Sequence, residues 1–164
     1  MKILYQLIIK SVQFLFPVLK MFSQKLKLFV EGRKDWQKQL KSQVSEHDTI
    51  IWFHAASLGE YEQAVPIMRG VKKKHPDYKI AVSFFSPSGY EIKKKASELD
   101  IITYLPLDTK SNARQFLDIL NPALALFIKY EVWPNFMEAL SHKNIKTYLI
   151  SGLFRKEQLY FKPM

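Results

Sequence analysis

Two stretches place an acid where a strand gives way to a helix. Residues 54–60 read HAASLGE and residues 129–135 read KYEVWPN. A carboxylate in such a turn can take a proton from an attacking hydroxyl. It also complements the positive end of a helix dipole, worth about 0.3–1 kcal/mol at an exposed terminus. On spacing alone both readings stand for Glu60 and for Glu131. Ala55, Ala56, Ser57 and Gly59 keep the first turn small, which lets a bulky ligand approach the backbone. Trp133 offers a flat face to a sugar or to a core. The two acids together resemble a glycoside-hydrolase pair, a parallel that depends on their separation.

Other chemistries find less support. The first turn lacks G-x-G-x-x-G and G-x-x-x-x-G-K-[ST], so nucleotide binding there is not indicated. Ser57 lacks the G-x-S-x-G context of a nucleophile elbow. The chain has no Cys, which removes disulfides, thiolate catalysis and Cys-based metal sites. His47, His54, His75 and His142 show no metal-ligand spacing. His54, at the end of an apolar run, is expected to be a hydrogen-bonded core residue. KKKH (72–75) closes a helix, where cations suit the dipole. With 25 Lys+Arg against 15 Asp+Glu, the net charge of +10 favours polyanionic partners. The basic residues lack the pattern of a nucleic-acid reader, so no nucleic acid is expected.

These turns need a scaffold. TIIWFH (49–54), KIAVSFF (79–85), IITYL (101–105), ALALFI (123–128) and KTYLI (146–150) are short, largely apolar and rich in β-branched and aromatic residues. Continuous apolar runs suit a sheet covered on both faces. Helical stretches are predicted near 60–74, 88–98, 111–120 and 134–143, each bounded by turn chemistry. Five strands alternating with four helices predict an α/β fold with a doubly wound parallel sheet. Spatial order 3-2-1-4-5 would make the first and fourth strands neighbours. Ligands bind at that topological switch point, where Glu60 and Glu131 would face one crevice.

The first thirty residues are too polar for a confident spanning helix, which needs roughly 20 mostly apolar residues. On a helical wheel Lys2, Gln6, Lys10, Gln13, Lys20, Gln24 and Lys27 share one arc. Leu4, Ile8, Leu15, Val18, Phe22 and Phe29 crowd the other side. Residues 1–30 are thus predicted to form an amphipathic helix with a basic face. Pro17 would put its kink towards the polar arc. Such a helix can lie in an anionic membrane surface, or pack on its own domain or on a partner. No small-residue site for signal cleavage follows the apolar stretch. Residues 31–48 read as a polar, partly helical connection, and 49–164 as the Rossmann-like domain.

HAASLGEYEQAVPIMRGVKKKHPDYKIAVSFFSPSGYE, then LPLD, then KYEVWPN, resembles the N-terminal half of the Kdo transferases. These enzymes move 3-deoxy-D-manno-octulosonic acid (Kdo) from its CMP conjugate onto lipid A precursor. The resemblance implies a GT-B architecture of two Rossmann-like domains. It also implies an inverting, metal-independent transferase without a cofactor, for which CMP-Kdo is a co-substrate. It assigns Glu60 as general base and Glu131 as transition-state stabiliser. Ser57, Gly59, Ser86, Ser88, Gly89 and Trp133 are then expected on the acceptor side. The phosphorylated, membrane-embedded acceptor suits both the net charge and the N-terminal helix, and implies the cytoplasmic face of a bacterial inner membrane. Two positions depart from the pattern. Lys129 stands where many members carry an acid, and SGLFR (151–155) replaces N-[AG]-R-x-S, which leaves an Arg155 contact open. The family's second domain, which binds CMP, has no counterpart in these 164 residues, so the chain by itself is expected to lack turnover. A GT-B transferase for another sugar and a non-catalytic lipid-binding module are the alternatives.

Overall fold

The computed structural model describes residues 2–96 and 99–152. Its five strands are β1 (Ile50–Ala55), β2 (Lys79–Phe84), β3 (Ile101–Tyr104), β4 (Leu124–Ile128) and β5 (Lys146–Ile150). All adjacent pairs are parallel, in spatial order β3-β2-β1-β4-β5, as predicted. The helices between them are α4 (Leu58–Lys74), α5 (Pro87–Lys93), α6 (Lys110–Leu120) and α7 (Pro134–His142), preceded by α1 (Lys2–Leu19), α2 (Gln24–Glu31) and α3 (Trp36–Lys41). The second predicted helix, 88–98, ends earlier, at Lys93, and residues 97 and 98 lie outside the described residues.

Strand pleating sorts the core into two layers. Ile50 and Trp52 face α3, α6 and α7, where they meet Trp36, Phe116, Phe136 and Leu140. Ile51, Phe53 and Ala55 face α4 and α5, against Tyr61, Met68 and Phe84. The first three strands are buried throughout apart from Lys79, and β4 apart from Leu124. The edge strand β5 departs from that expectation: it is half-buried to exposed, whereas the other edge strand, β3, is buried because α3 and α5 both pack against it.

The N-terminal segment corrects two expectations. The predicted single helix over 1–30 is two helices, because Ser23 starts a new one by accepting the Leu26 N–H at 3.2 Å. The hydroxyl satisfies a first-turn donor that an unbroken helix would bond to a carbonyl. Pro17 lies inside α1, and the break follows it at residues 20–23. The stretch 31–48 is also less of a connection than its polarity suggests. Trp36 and Leu40, one helical turn apart, enter the core, and Arg33 is buried. Gln43 accepts the Ile102 N–H at 2.9 Å, satisfying a donor on edge strand β3. Gly32 lets α2 approach that strand, since a Cβ there would meet the Tyr104 ring at 2.1 Å.

Of the apolar arc, Phe29 turns inward and packs edge-on against Phe16 and Phe85. Leu4, Ile8, Leu15, Val18 and Phe22 are exposed, as are Leu7, Phe14 and Met21. Tyr5, Ile9, Val12, Phe16 and Leu19 form a half-buried stripe beside that exposed arc. No described helix is long and apolar enough to cross a membrane.

Candidate functional site

Both acids lie beyond the carboxyl ends of neighbouring strands. Glu60 sits in the first turn of α4, with Ser57 at the N-cap position. Its Oε2 accepts the Ala56 N–H at 2.5 Å, while the Ala56 carbonyl accepts the Ser86 N–H at 2.7 Å. The carboxylate is therefore fixed to a peptide that ties the β1 turn to the β2 turn. Its Oε1 makes no hydrogen bond among the described residues. The Ser57 hydroxyl makes none either, and a Cβ on Gly59 would meet open space. This turn matches the small, accessible one that the sequence suggests.

Ser86 caps α5 by accepting the Ser88 N–H at 3.3 Å, and the two hydroxyls lie 3.0 Å apart. Gly89 has a packing reason of its own. It is buried, and a Cβ there would meet the Phe84 ring at 2.2 Å, so glycine allows α5 to close on the sheet.

Beyond β4 the chain turns through Lys129, whose φ of 60° is left-handed, and its N–H reaches the Ile150 carbonyl at 2.7 Å. Glu131 follows, with a side chain 20% exposed. The Trp133 indole N–H points to Glu131 Oε2 at 3.1 Å and to His54 Nε2 at 3.1 Å. His54 is the fully buried, hydrogen-bonded residue that its strand position predicts. Trp133 also packs on Phe85, with ring centroids 4.6 Å apart. Described contacts thus join Glu131 and Trp133 but include none between Glu60 and Glu131. Arg155 lies outside the described residues.

Three residues that support this edge are missing from the sequence reading. Arg33 donates to the carbonyls of Leu105 (2.9 Å), Phe29 (2.9 Å) and Phe85 (2.7 Å), and lies over the rings of Phe29, Phe85 and Tyr104. Burial pushes its guanidinium down to about 9. It remains charged at neutral pH, as three carbonyls and an aromatic cage require. Asp108 and Asn135, the last residues of LPLD and WPN, meet at the start of α7. Asp108 Oδ2 accepts the Asn135 N–H at 3.0 Å and Oδ1 the Phe136 N–H at 3.0 Å, which caps α7. Tyr5 donates to the same carboxylate at 2.7 Å, and Gln6 to Asn135 Oδ1 at 2.5 Å, which docks α1 at the cap. Only the recurrence of an acid and an amide at the ends of two turns could have hinted at the contact.

The grooves elsewhere, about 580 Å³ at α1 and α3 and about 540 Å³ between α6 and α7, are lined by neither glutamate. Among the described residues no cluster of three acids or histidines could hold a metal.

Together the sheet order and the two turns define a Rossmann-like α/β domain with a carboxylate beyond the carboxyl end of each of its two switch-point strands. The family described as 3-Deoxy-D-manno-octulosonic-acid transferase (kdotransferase) matches residues 29–162. The chain belongs to that family. It is 33% identical over 96 residues to the 3-deoxy-D-manno-octulosonic acid transferase of Haemophilus influenzae, covering 58% of this chain and 22% of that protein. The Rickettsia felis protein of the same name is 32% identical over 97 residues, 58% of this chain and 21% of its own length. A bifunctional glycosyltransferase/methyltransferase of Fusobacterium nucleatum is 27% identical over 137 residues, 79% of this chain and 20% of that protein. The matched part of the chain thus spans about a fifth of each of these relatives.

Proposed function

We propose that this chain is the acceptor-side domain of an inverting GT-B glycosyltransferase of lipopolysaccharide biosynthesis. It moves Kdo from CMP-Kdo onto lipid A precursor at the cytoplasmic face of a bacterial inner membrane. One observation carries the reading beyond family membership: Glu60, beyond a switch-point strand, has one oxygen anchored to a backbone N–H and the other without a hydrogen bond among the described residues. An alcohol is a poor nucleophile until its proton leaves. Glu60 takes that proton as the acceptor oxygen bonds to the anomeric carbon of Kdo and CMP departs from the opposite face. Glu131 stabilises the positive charge that develops on the sugar. Ser57, Gly59, Ser86, Ser88 and Trp133 meet the acceptor, and Gly89 lets the helix that carries Ser88 close on the sheet. A second Rossmann-like domain binds the CMP moiety.

The exposed apolar arc of α1, with Lys10 beside it, rests on an anionic membrane surface and brings the crevice to a lipid-embedded acceptor. The test is transfer of labelled Kdo from CMP-Kdo to lipid A precursor by the intact gene product that carries this chain. Transfer supports the reading. Acceptor binding without transfer would instead favour a lipid-binding module, and transfer of a different sugar would replace the donor.

A further inference from the structure

We infer that His54 is a positioning residue for the crevice: as the neutral Nδ1–H tautomer it holds the Trp133 indole and, through the shared N–H, the Glu131 carboxylate. Its bearing on turnover rests on the role proposed for Glu131, whereas the hydrogen-bond assignment stands on geometry.

His54 lies in β1 opposite Ser83 of β2 and is 0% exposed, so it is placed to orient neighbours and not to touch substrate. Its Nδ1 is 3.1 Å from the Ser83 carbonyl oxygen and 2.9 Å from Ser83 Oγ. A carbonyl only accepts, so the proton sits on Nδ1. The other end of the ring gives the same answer. The Trp133 indole only donates, and its Nε1 lies 3.1 Å from His54 Nε2. A proton on Nε2 would set two N–H groups against each other, so Nε2 carries a lone pair. One tautomer satisfies both ends.

The same indole proton is shared with Glu131. Nε1 is 3.1 Å from Glu131 Oε2, and that oxygen is 3.5 Å from His54 Nε2. Two lone pairs at that distance repel unless a donor lies between them, and Trp133 supplies it. Phe85 holds the face of the indole and Arg33 holds the Phe85 carbonyl, so the ring is braced on a second side. His54 thus sets where the indole and the carboxylate stand.

Nitrogen NMR on this chain, with two variants, tests the assignment. In the wild type, His54 should show a protonated Nδ1 and a bare Nε2, and the Trp133 indole proton should lie downfield and exchange slowly. The amide of His54→Gln ends near the place of Nε2 and can accept from Trp133. The amide of His54→Asn ends near Nδ1 and cannot reach it. The Trp133 resonance should therefore stay close to wild type in the Gln variant and move upfield, with faster exchange, in the Asn variant. Trp36, which has no described ring contact or hydrogen bond with His54 or Trp133, reports whether each variant is folded. A bare Nδ1, or an indole resonance unmoved in folded His54→Asn, overturns the inference. The wild-type measurement decides alone if neither variant folds. In the intact gene product, His54→Asn should lower kcat by about ten- to a hundredfold, the scale of a small misplacement, with His54→Gln restoring most of it. The NMR pattern together with unchanged kcat in both variants would leave the tautomer standing and overturn the positioning role of His54 in turnover, while a normal rate in Glu131→Gln would separately overturn the role of Glu131.

Discussion

Asp108 and Glu60 are both acids at the start of a helix beyond a strand, yet their oxygens are spent differently. Asp108 is 1% exposed and accepts four hydrogen bonds, from Tyr5 Oη, the Asn135 N–H, Asn135 Nδ2 and the Phe136 N–H. Glu60 is half-buried and, among the described residues, accepts one, from the Ala56 N–H. Glu131 likewise shares a single indole N–H. A carboxylate whose lone pairs are filled by its own chain holds structure together. One that keeps an oxygen free can meet a substrate hydroxyl or a developing charge. Both acids sit between a strand end and a helix start, so the contrast lies in hydrogen-bond saturation.

The contrast is broken or sharpened most strongly at Glu60. Glu60→Gln keeps the size of the side chain and an acceptor for the Ala56 N–H but cannot take a proton. Single-turnover transfer by the intact gene product should fall by about 10²–10⁴-fold. Near-normal transfer would rule the residue out as the base. For Glu131→Gln, which still accepts from Trp133, the expected loss is on the order of 10²-fold, the scale of removing one electrostatic stabiliser. Collapse of thermal stability with a normal rate in the folded fraction would make Glu131 structural.

Asp108→Asn should act the opposite way. An amide offers one acceptor oxygen to donors that now share two, and each buried donor left unsatisfied costs about 1–3 kcal/mol. Urea denaturation measures the loss, and a change within about 0.5 kcal/mol would place Asp108 with ordinary surface positions. Smaller effects follow at α1. Cations near an anionic surface contribute about 1 kcal/mol each, so vesicle co-sedimentation should weaken with salt. Equal binding to neutral and anionic vesicles would remove the electrostatic part.

The smallest effect is a pH dependence. Burial raises the Asp108 carboxyl above its ordinary range, against hydrogen bonds that favour the charged form. The folded chain therefore holds that proton more tightly than the unfolded chain. The resulting stability is fully present below the unfolded carboxylate's pKa and is lost as pH rises through the folded value. Asn does not titrate. The stability gap between wild type and Asp108→Asn should narrow from mildly acid to neutral pH, and a widening gap would contradict the raised value.

Much of the scaffold is legible in the sequence because each strand is an unbroken apolar run and each helix begins at turn residues. That pattern leads to a parallel α/β sheet, and the commonest doubly wound topology supplies the order β3-β2-β1-β4-β5. The placement of Glu60 and Glu131 at the switch point follows from it. The stretch 31–48 is harder to read because its many charges outnumber the two residues, Trp36 and Leu40, that reach the core. The break at Ser23 is hidden because a single hydroxyl decides it within an otherwise amphipathic run. The partners of His54 and Asp108 come from distant parts of the chain, Trp133 for one and Tyr5 for the other. Neither periodicity nor turn chemistry encodes such a meeting. Gly89 shows the reverse case: a turn glycine read towards the ligand also has a packing cause.

The most direct test measures two quantities on one pair of proteins, Glu60→Gln and Asp108→Asn, each in the intact gene product. The quantities are the thermal midpoint and the single-turnover rate per folded molecule at saturating acceptor. The expected result is a crossover. Glu60→Gln keeps its midpoint and loses its rate, while Asp108→Asn loses stability and keeps most of its rate. If Glu60→Gln lowers the midpoint as far as Asp108→Asn while transferring Kdo at the wild-type rate, the two acids are alike, and Glu60 is a cap rather than a base.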